Sequence, residues 1–439
     1  PLGKVHVRSR DGNRMSCRSL RVSMDAIPYL SLYRSSKPTH VGTLHFSPAR
    51  NGEAVSFEFS STWLAVNPLT SFDPDLQPWK GRQYLEAGKP LFGVFSDSCP
   101  DRWGRMLLQR KENERAHAEG RSARALLESD FLVGVSDRTR MGALRYQESG
   151  DGPFLAEDSA NDVPPFSSLR ELEHAARGIE ASPSNERRDS VYLDLLLSPG
   201  SSLGGARPKA SVRDQTGDLW IAKFPSRHDS FDTGIVEFFT HDLARSFGID
   251  VPDAQKGRFG RHGTTFLSKR FDRITGKRVH FSSAMALLGR QDGACGADGA
   301  SYLDLMEFMR EQCARPERDL EELYRRILFS VAVSNSDDHL RNHGFLLGND
   351  GWHLAPAFDM NPNPLGRSLS LNIDEASGVL SYALVRDQAP YFGVSNRQAQ
   401  RMEHDIKALT KSWRARAKRV GLSSSECDAV APVFERTKE

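Results

Sequence analysis

The stretch SNSDDHLRNHGFLL places Asp337 five residues ahead of Asn342, and Asp359 follows in LAPAFDMNP. Carboxylate, amide, then carboxylate is the set that phosphoryl transfer asks for. One carboxylate orients the attacking hydroxyl, while the amide oxygen and the second carboxylate offer hard ligands to Mg²⁺. Such chemistry also needs cations over the phosphates. Lys223 lies late in the apolar run LWIAKF, where a lysine is costly unless it meets an anion. Alone it reads as a snorkelling edge lysine. One strand earlier, SSLGGARPKA puts a glycine turn and Lys209 ahead of it. A glycine loop followed by a strand lysine is an order that holds ATP phosphates.

Two further groups fit this scheme, each with a plainer explanation beside it. Glu237 in GIVEFFTHDLARSF suits fixing the strand lysine, and equally suits the positive end of a helix dipole. Lys269, Arg270 and Phe271 close TTFLSKRF as a hinge whose backbone would meet adenine, and a strand end with a surface salt bridge fits the same residues. By itself SDDH is a helix C-cap and an Asx turn. Taken with Asn342, Asp359 and the upstream lysine, in that order, it has the spacing of a kinase catalytic loop. His339, His343 and His353 match neither a H-E-x-x-H helix nor a Cys/His cluster, so structural roles are expected for them rather than zinc.

The elements that must carry these residues are legible in outline. VGTLHFSP (41–48) and VSFEFSSTWL (55–64) alternate as half-buried strands, and a helix is predicted over 100–111 with Pro100 in or near its first turn. LRELEHAARGIE (169–180) and DSVYLDLLLSPG (189–200) read as helices, and KASVRDQTGDLWIAKF as a hairpin. Phe238, Leu243 and Phe247 are expected on the core side of the Glu237 helix. DLEELYRRILFSVAVSN is a long apolar helix delivering the chain to Asp337, and GFLLGNDGWHL a short hairpin delivering it to Phe358 and Asp359. The expected division is a leader outside the fold (1–23), a β-rich domain (24–156), a linker (157–168), an N-lobe (169–275) and a helical C-lobe (276–439). No catalytic constellation is visible in the first third, which suits a scaffold, lid or partner-binding domain.

The chain has 439 residues and a formal net charge of +2, so no global field drives it toward nucleic acid or membrane. Five cysteines at wide spacings, none in C-x-x-C, point to a reducing, cytoplasmic setting. No apolar run reaches the length of a membrane span.

At this point the sequence resembles the HipA family of bacterial toxin kinases. SSLGGARPKA, IAKFPS, VEFFTHDLARSFGIDVPDA, KRFDR, SNSDDHLRNHGFLL and LAPAFDMNP carry the match, and FSDSCPDRWGRMLL looks like the family's N-terminal domain. The resemblance implies an α+β, two-lobed protein-kinase-like (phosphoinositide-kinase-like) fold, with a small β-rich N-terminal domain and an all-helical C-terminal lobe. It implies an ATP- and Mg²⁺-dependent serine/threonine protein kinase acting as the toxin of a toxin–antitoxin pair. Its implied partners are a HipB-like helix-turn-helix antitoxin, operator DNA reached mainly through that antitoxin, and a translation component such as an aminoacyl-tRNA synthetase as substrate.

Carried over, the family's catalytic aspartate falls on Asp337 and its metal ligands on Asn342 and Asp359. The phosphate loop falls on Leu203, Gly204, Gly205, Ala206, Arg207, Pro208 and Lys209. Lys223, Glu237, the hinge Lys269, Arg270 and Phe271, and also His339 and Phe358, fall in nucleotide-contacting positions. The family's inactivating autophosphorylation falls on Ser202, with Ser201 adjacent. This chain departs from the best-known member in having Asp337–Asp338 where that protein has Asp-Gly, which leaves a second carboxylate without a role. Other readings are a small-molecule or lipid kinase of the same fold, and a catalytically silent partner in DNA repression. The C-terminal segment RMEHDIKALTKSWRARAKRVGL has an apolar stripe (Met402, Ile406, Leu409, Trp413, Ala417) and a basic face, by default a solvated one.

Overall fold

The computed structural model describes residues 23–30, 37–50, 52–66, 72–86, 88–155, 163–181, 189–197 and 205–436. The first of its sheets is antiparallel, in the order Thr39–His40, Met24–Leu30, Gly42–Ala49, Gly52–Phe59, Gln83–Tyr84, with Leu144–Gln147 also pairing with Met24–Leu30. Leu44, Phe46, Phe57 and Phe59 turn one face into a core, as the alternation in VGTLHFSP requires. The second predicted strand stops earlier than its sequence suggests. It ends at Phe59, and Ser60 Oγ accepts from Trp63 N at 3.0 Å to start the helix Ser61–Val66. The helix predicted over 100–111 is Arg102–Ala118, with Pro100 outside it and Asp101 as its N-cap, accepting from Gly104 N at 2.9 Å.

A second antiparallel sheet follows in the order Lys209–Arg213, Leu219–Lys223, Thr265–Lys269, Ala254–Gly257. Helices Leu169–Ala181 and Asp189–Leu197 cover one face, burying Leu172, Ile179, Leu193 and Leu196 against Val212, Trp220 and Ala222. The period of two then turns Ile221 and Lys223 to the opposite face. Helix Thr233–Ser246 approaches that sheet closely, and a Cβ on Gly234 would lie 1.9 Å from Thr264 O. Only glycine allows this approach, which carries Glu237 to the sheet. Phe239 and Leu243 face the core. Phe238 does not: it is half-buried beneath Lys256.

The remainder is mostly helical, built around Pro316–Val333, with Pro316 in its first turn and Ser334 closing it at φ 52°. The two-lobed α+β arrangement holds, with one refinement. The C-terminal lobe is not all helical, because His280–Ser283, Gly344–Leu347 and Trp352–Leu354 form a three-stranded antiparallel sheet. The last two strands are the predicted hairpin, and its third partner comes from just beyond the hinge. The C-terminal stripe is buried at Met402, Ile406, Trp413 and Ala417, and the helix breaks at Ser412 into Asn396–Lys411 and Trp413–Val420. Several basic residues there are used inside the chain: Lys407 pairs with Glu403, and Arg414 with Asp428 and Glu435.

Candidate active site

Between the second sheet and the helical lobe lies a cleft of about 770 Å³ including its mouth. Its walls are largely apolar, with Ile221, Pro252, Phe266, Phe271 and Phe358 among them, a lining that suits a flat aromatic base. Phe271 and Phe358 hold their rings 5.6 Å apart. Charge collects on the same wall. Lys223 Nζ donates to Glu237 Oε1 and to Asp359 Oδ1, both at 2.6 Å.

Each member of this triad is placed by a separate element. Lys223 lies on the cleft-facing side of its strand, Glu237 on the helix brought close by Gly234, and Asp359 just after the hairpin. Asp359 sits at φ 60°, a left-handed conformation that costs a non-glycine residue about 1–3 kcal/mol and marks functional positions. Burial works against the Lys223 charge, but Asp359 and Glu237 more than offset it and hold the ammonium firmly protonated. Burial likewise pushes the Asp359 carboxyl up, and Lys223 overrides it, bringing it down to about 2. Glu237 is pushed up, by burial first, with Lys223 opposing and the Asp359 charge adding to the rise.

Asp337 is exposed at the end of the long helix. Its backbone oxygen accepts from His339 N and from Asn342 Nδ2, each at 3.0 Å, so Asn342 is tied to the residue five positions before it. That bond uses the amide nitrogen and leaves the oxygen of Asn342 for a cation. Asp359 takes Lys223 and Asn361 Nδ2 on Oδ1, leaving Oδ2 outside both bonds. An amide oxygen and a carboxylate oxygen are the hard donors that suit Mg²⁺, which takes one or two protein ligands and completes its shell with water and substrate phosphates. Among the described residues no group of three His, Cys, Asp or Glu side chains is arranged to hold a metal. His339 is half-buried and close enough for its charge to act on Asp359.

The side chains of three basic residues in the proposed phosphate loop and hinge each have a carboxylate partner. Lys209 is buried and pairs with Asp101 Oδ2 at 2.6 Å, also donating to Gly205 O at 3.0 Å. Arg207 makes a two-pronged pair with Asp229 at 2.8 and 2.6 Å. Arg270 is buried against Asp272, with further bonds to Thr139 O and Arg140 O. The hinge backbone is also partly used. Lys269 N donates to Asp253 O and Arg270 N to Leu219 O, both at 2.8 Å, so neither is a donor for a base. The Lys269 side chain pairs with Asp218. Ser201, Ser202, Leu203 and Gly204 lie outside the described residues, and Ala206 and Pro208 are in the loop entering the strand that begins at Lys209.

The first third of the chain contributes more than its sequence signals. Met141 lines the cleft, and Gly142 N donates to Asp272 Oδ2 at 2.7 Å behind the hinge. Asp97 accepts from Ser283 N at 2.6 Å, while Trp103 Nε1 donates to Lys209 O at 3.0 Å. One helix and its preceding loop therefore touch both lobes. No local pattern identifies such residues, since their partners lie more than 100 positions away.

Comparison with known proteins bears on the same residues. "Putative kinase Y4dM" of Sinorhizobium fredii is 25% identical over 287 residues, 60% of this chain and 68% of that one. A "Putative kinase" of Haemophilus influenzae is 26% identical over 193 residues, 39% of this chain and 56% of that one. HipA of Shewanella oneidensis, solved with HipB and its operator DNA, superposes with a TM-score of 0.63, covering 90% of this chain and 93% of that one. At 16% identity that likeness is one of fold, the two-lobed kinase-like α+β arrangement. Residues 201–418, which hold Lys223, Glu237, Asp337, Asn342 and Asp359, match the HipA-like C-terminal domain, and this part of the chain is a domain of that family.

Proposed function

We propose that the chain is an ATP- and Mg²⁺-dependent protein kinase that transfers phosphate to serine or threonine. The observation that carries this reading is the Lys223 bridge between Glu237 and Asp359 at 2.6 Å each, on the wall of an apolar interlobe cleft. Glu237 holds Lys223 where its charge meets phosphate oxygens, and Phe271, Phe358 and Ile221 enclose the base. Asn342 and Asp359 would hold Mg²⁺, which when bound would supply charge neutralisation at the phosphates. Asp337, exposed on the loop, orients the incoming hydroxyl and receives its proton. Arg207 and Lys209 act on the phosphate loop through their partners rather than as phosphate ligands.

Likeness to a HipA–HipB–operator complex supports a role as the toxin of a toxin–antitoxin pair, with a helix-turn-helix antitoxin and operator DNA as partners. A translation component, such as an aminoacyl-tRNA synthetase, is the proposed target. Self-phosphorylation at Ser202, or the adjacent Ser201, is the proposed off-switch. The test is phosphate transfer from γ-labelled ATP by the purified chain and by Asp337→Ala, with and without Mg²⁺. Label on serine or threonine, lost in the variant and in EDTA, is the expected result. Equal labelling by Asp337→Ala would overturn the assignment.

A further inference from the structure

Asp338 directly follows Asp337, and the proposed reaction gives it no task. Its carboxylate is buried at 4% exposure, a costly place for a charge unless donors surround it. Three groups do. Tyr302 Oη donates to Oδ2 at 2.5 Å and Ser330 Oγ donates to the same oxygen at 3.0 Å, while His343 Nε2 lies 3.0 Å from Oδ1. Burial raises this carboxyl, but His343 and the hydrogen bonds outweigh it and hold Asp338 below its ordinary range.

These neighbours come from three elements: the start of helix Tyr302–Gln312, the last turn of helix Pro316–Val333, and the residue entering strand Gly344–Leu347. Position along the chain gives the contact its consequence. Asp338 follows Asp337, and His343 follows Asn342, so the Asp338–His343 contact closes the loop one residue beyond each functional group. Asn342 Nδ2 to Asp337 O, at 3.0 Å, ties the same loop from within. The Tyr302 ring stands edge-on to His343, with centroids 5.7 Å apart and planes at 89°, which fixes the imidazole beside the carboxylate.

We propose that Asp338 is a positioning residue. With His343, Tyr302 and Ser330 it sets the distance between the Asp337 carboxylate and the Asn342 amide oxygen, and so aligns acceptor hydroxyl and cation. The inference rests on the kinase reading for what is aligned, but not for the loop geometry itself. It also accounts for the second carboxylate of SDDH: where Asp338 is replaced by a residue without donors to gather, His343 has no partner and the loop must be held differently.

The test uses the full chain and the variants Asp338→Asn, His343→Gln and their combination. Asp338→Asn keeps the shape of the side chain and removes its charge. A misplacement of about 1 Å costs on the order of 100-fold in rate. The expected result is a kcat lowered about 10- to 100-fold, with KM for ATP within about twofold, because Lys223 and the base pocket are untouched. The double variant should lose no more than the worse single one, since the two residues act as one unit. If Asp338→Asn does not fold, Tyr302→Phe removes one donor and keeps the carboxylate, with an expected kcat loss of about 3- to 10-fold. Amide hydrogen exchange over residues 336–343 is measured in parallel. Faster exchange confined to this loop is expected in Asp338→Asn. A kcat within twofold of the parent, or loop exchange unchanged, overturns the proposal. Absence of transfer by the parent chain would instead remove the kinase reading, and the exchange result would still decide the positioning role.

Discussion

Substituting Asp101 by Asn should destabilise the chain sharply, although Asp101 is more than 100 residues from Lys209, the buried lysine it pairs with. Lys209 lies directly opposite Lys223 on the neighbouring strand, so two ammonium groups share one face of a sheet. Lys223 is neutralised by Glu237 and Asp359, and Lys209 by Asp101 at 2.6 Å, with side chains only 1% and 4% exposed. Water therefore screens this pair little. Asn at 101 keeps the shape and the helix cap to Gly104 N but removes the carboxylate that pairs with a buried cation. Removing one partner of a buried pair costs about 3–5 kcal/mol. For a cooperative unit of about 200 residues that corresponds to roughly 6–20 °C in melting temperature.

Thermal and urea unfolding followed by circular dichroism would measure it. The companion variant, Asp101→Asn with Lys209→Met, removes both charges and should recover more than half of the loss, because nothing charged remains buried. A single variant within 1 kcal/mol of the parent, or a double variant no better than the single one, would refute the reasoning. In either case the Asp101 carboxylate would not be what keeps the Lys209 charge tolerable in the core.

Three further outcomes are expected. Lys223→Met should lower phosphate transfer by at least about 100-fold, the scale for losing a charge aimed at the transition state, measured with labelled ATP at saturating Mg²⁺. Arg270→Gln should cost about 3 kcal/mol by leaving the buried Asp272 with Arg273 as its only adjoining cation among the described residues, read by urea unfolding. His280 is buried between Phe72 and Trp352, neither ring nitrogen has a partner among the described residues, and burial lowers its pKa to about 3. Its folded pKa lies below the unfolded value near 6.5, so the unfolded state takes up a proton first, and stability falls with pH below about 6.5. At about 1.4 kcal/mol per unit the loss reaches roughly 2 kcal/mol by pH 5. His280→Phe should flatten stability between pH 7 and 5, and an unchanged slope would refute this.

The local elements were legible where the pattern is local. The LWIAK strand, the apolar run of the long helix and the Asn-Asp-Gly hairpin all formed as their patterns require. What misled was equally local. FSSTWL continues a strand by composition, yet Ser60 can cap a helix, and that hydrogen bond wins. Phe238 and Phe239 are indistinguishable by hydrophobicity, and only the packing of the helix on both the sheet and the C-terminal lobe picks Phe239.

The sequence by itself marked the residues proposed to carry chemistry, and their order: Lys223, Glu237, Asp337, Asn342 and Asp359 gain their meaning from being taken together. Tertiary structure alone decided which carboxylate each cation meets. Arg207, Lys209 and Arg270 resemble Lys223 as basic residues beside a glycine loop or hinge, but Asp229, Asp101 and Asp272 claim them. It also gave Asp338 its partners and brought Met141 into the cleft from the first third of the chain. The physical reason is that a buried charge takes its role from whichever opposite charge shares its burial, and that partner is set by folding rather than by spacing along the chain.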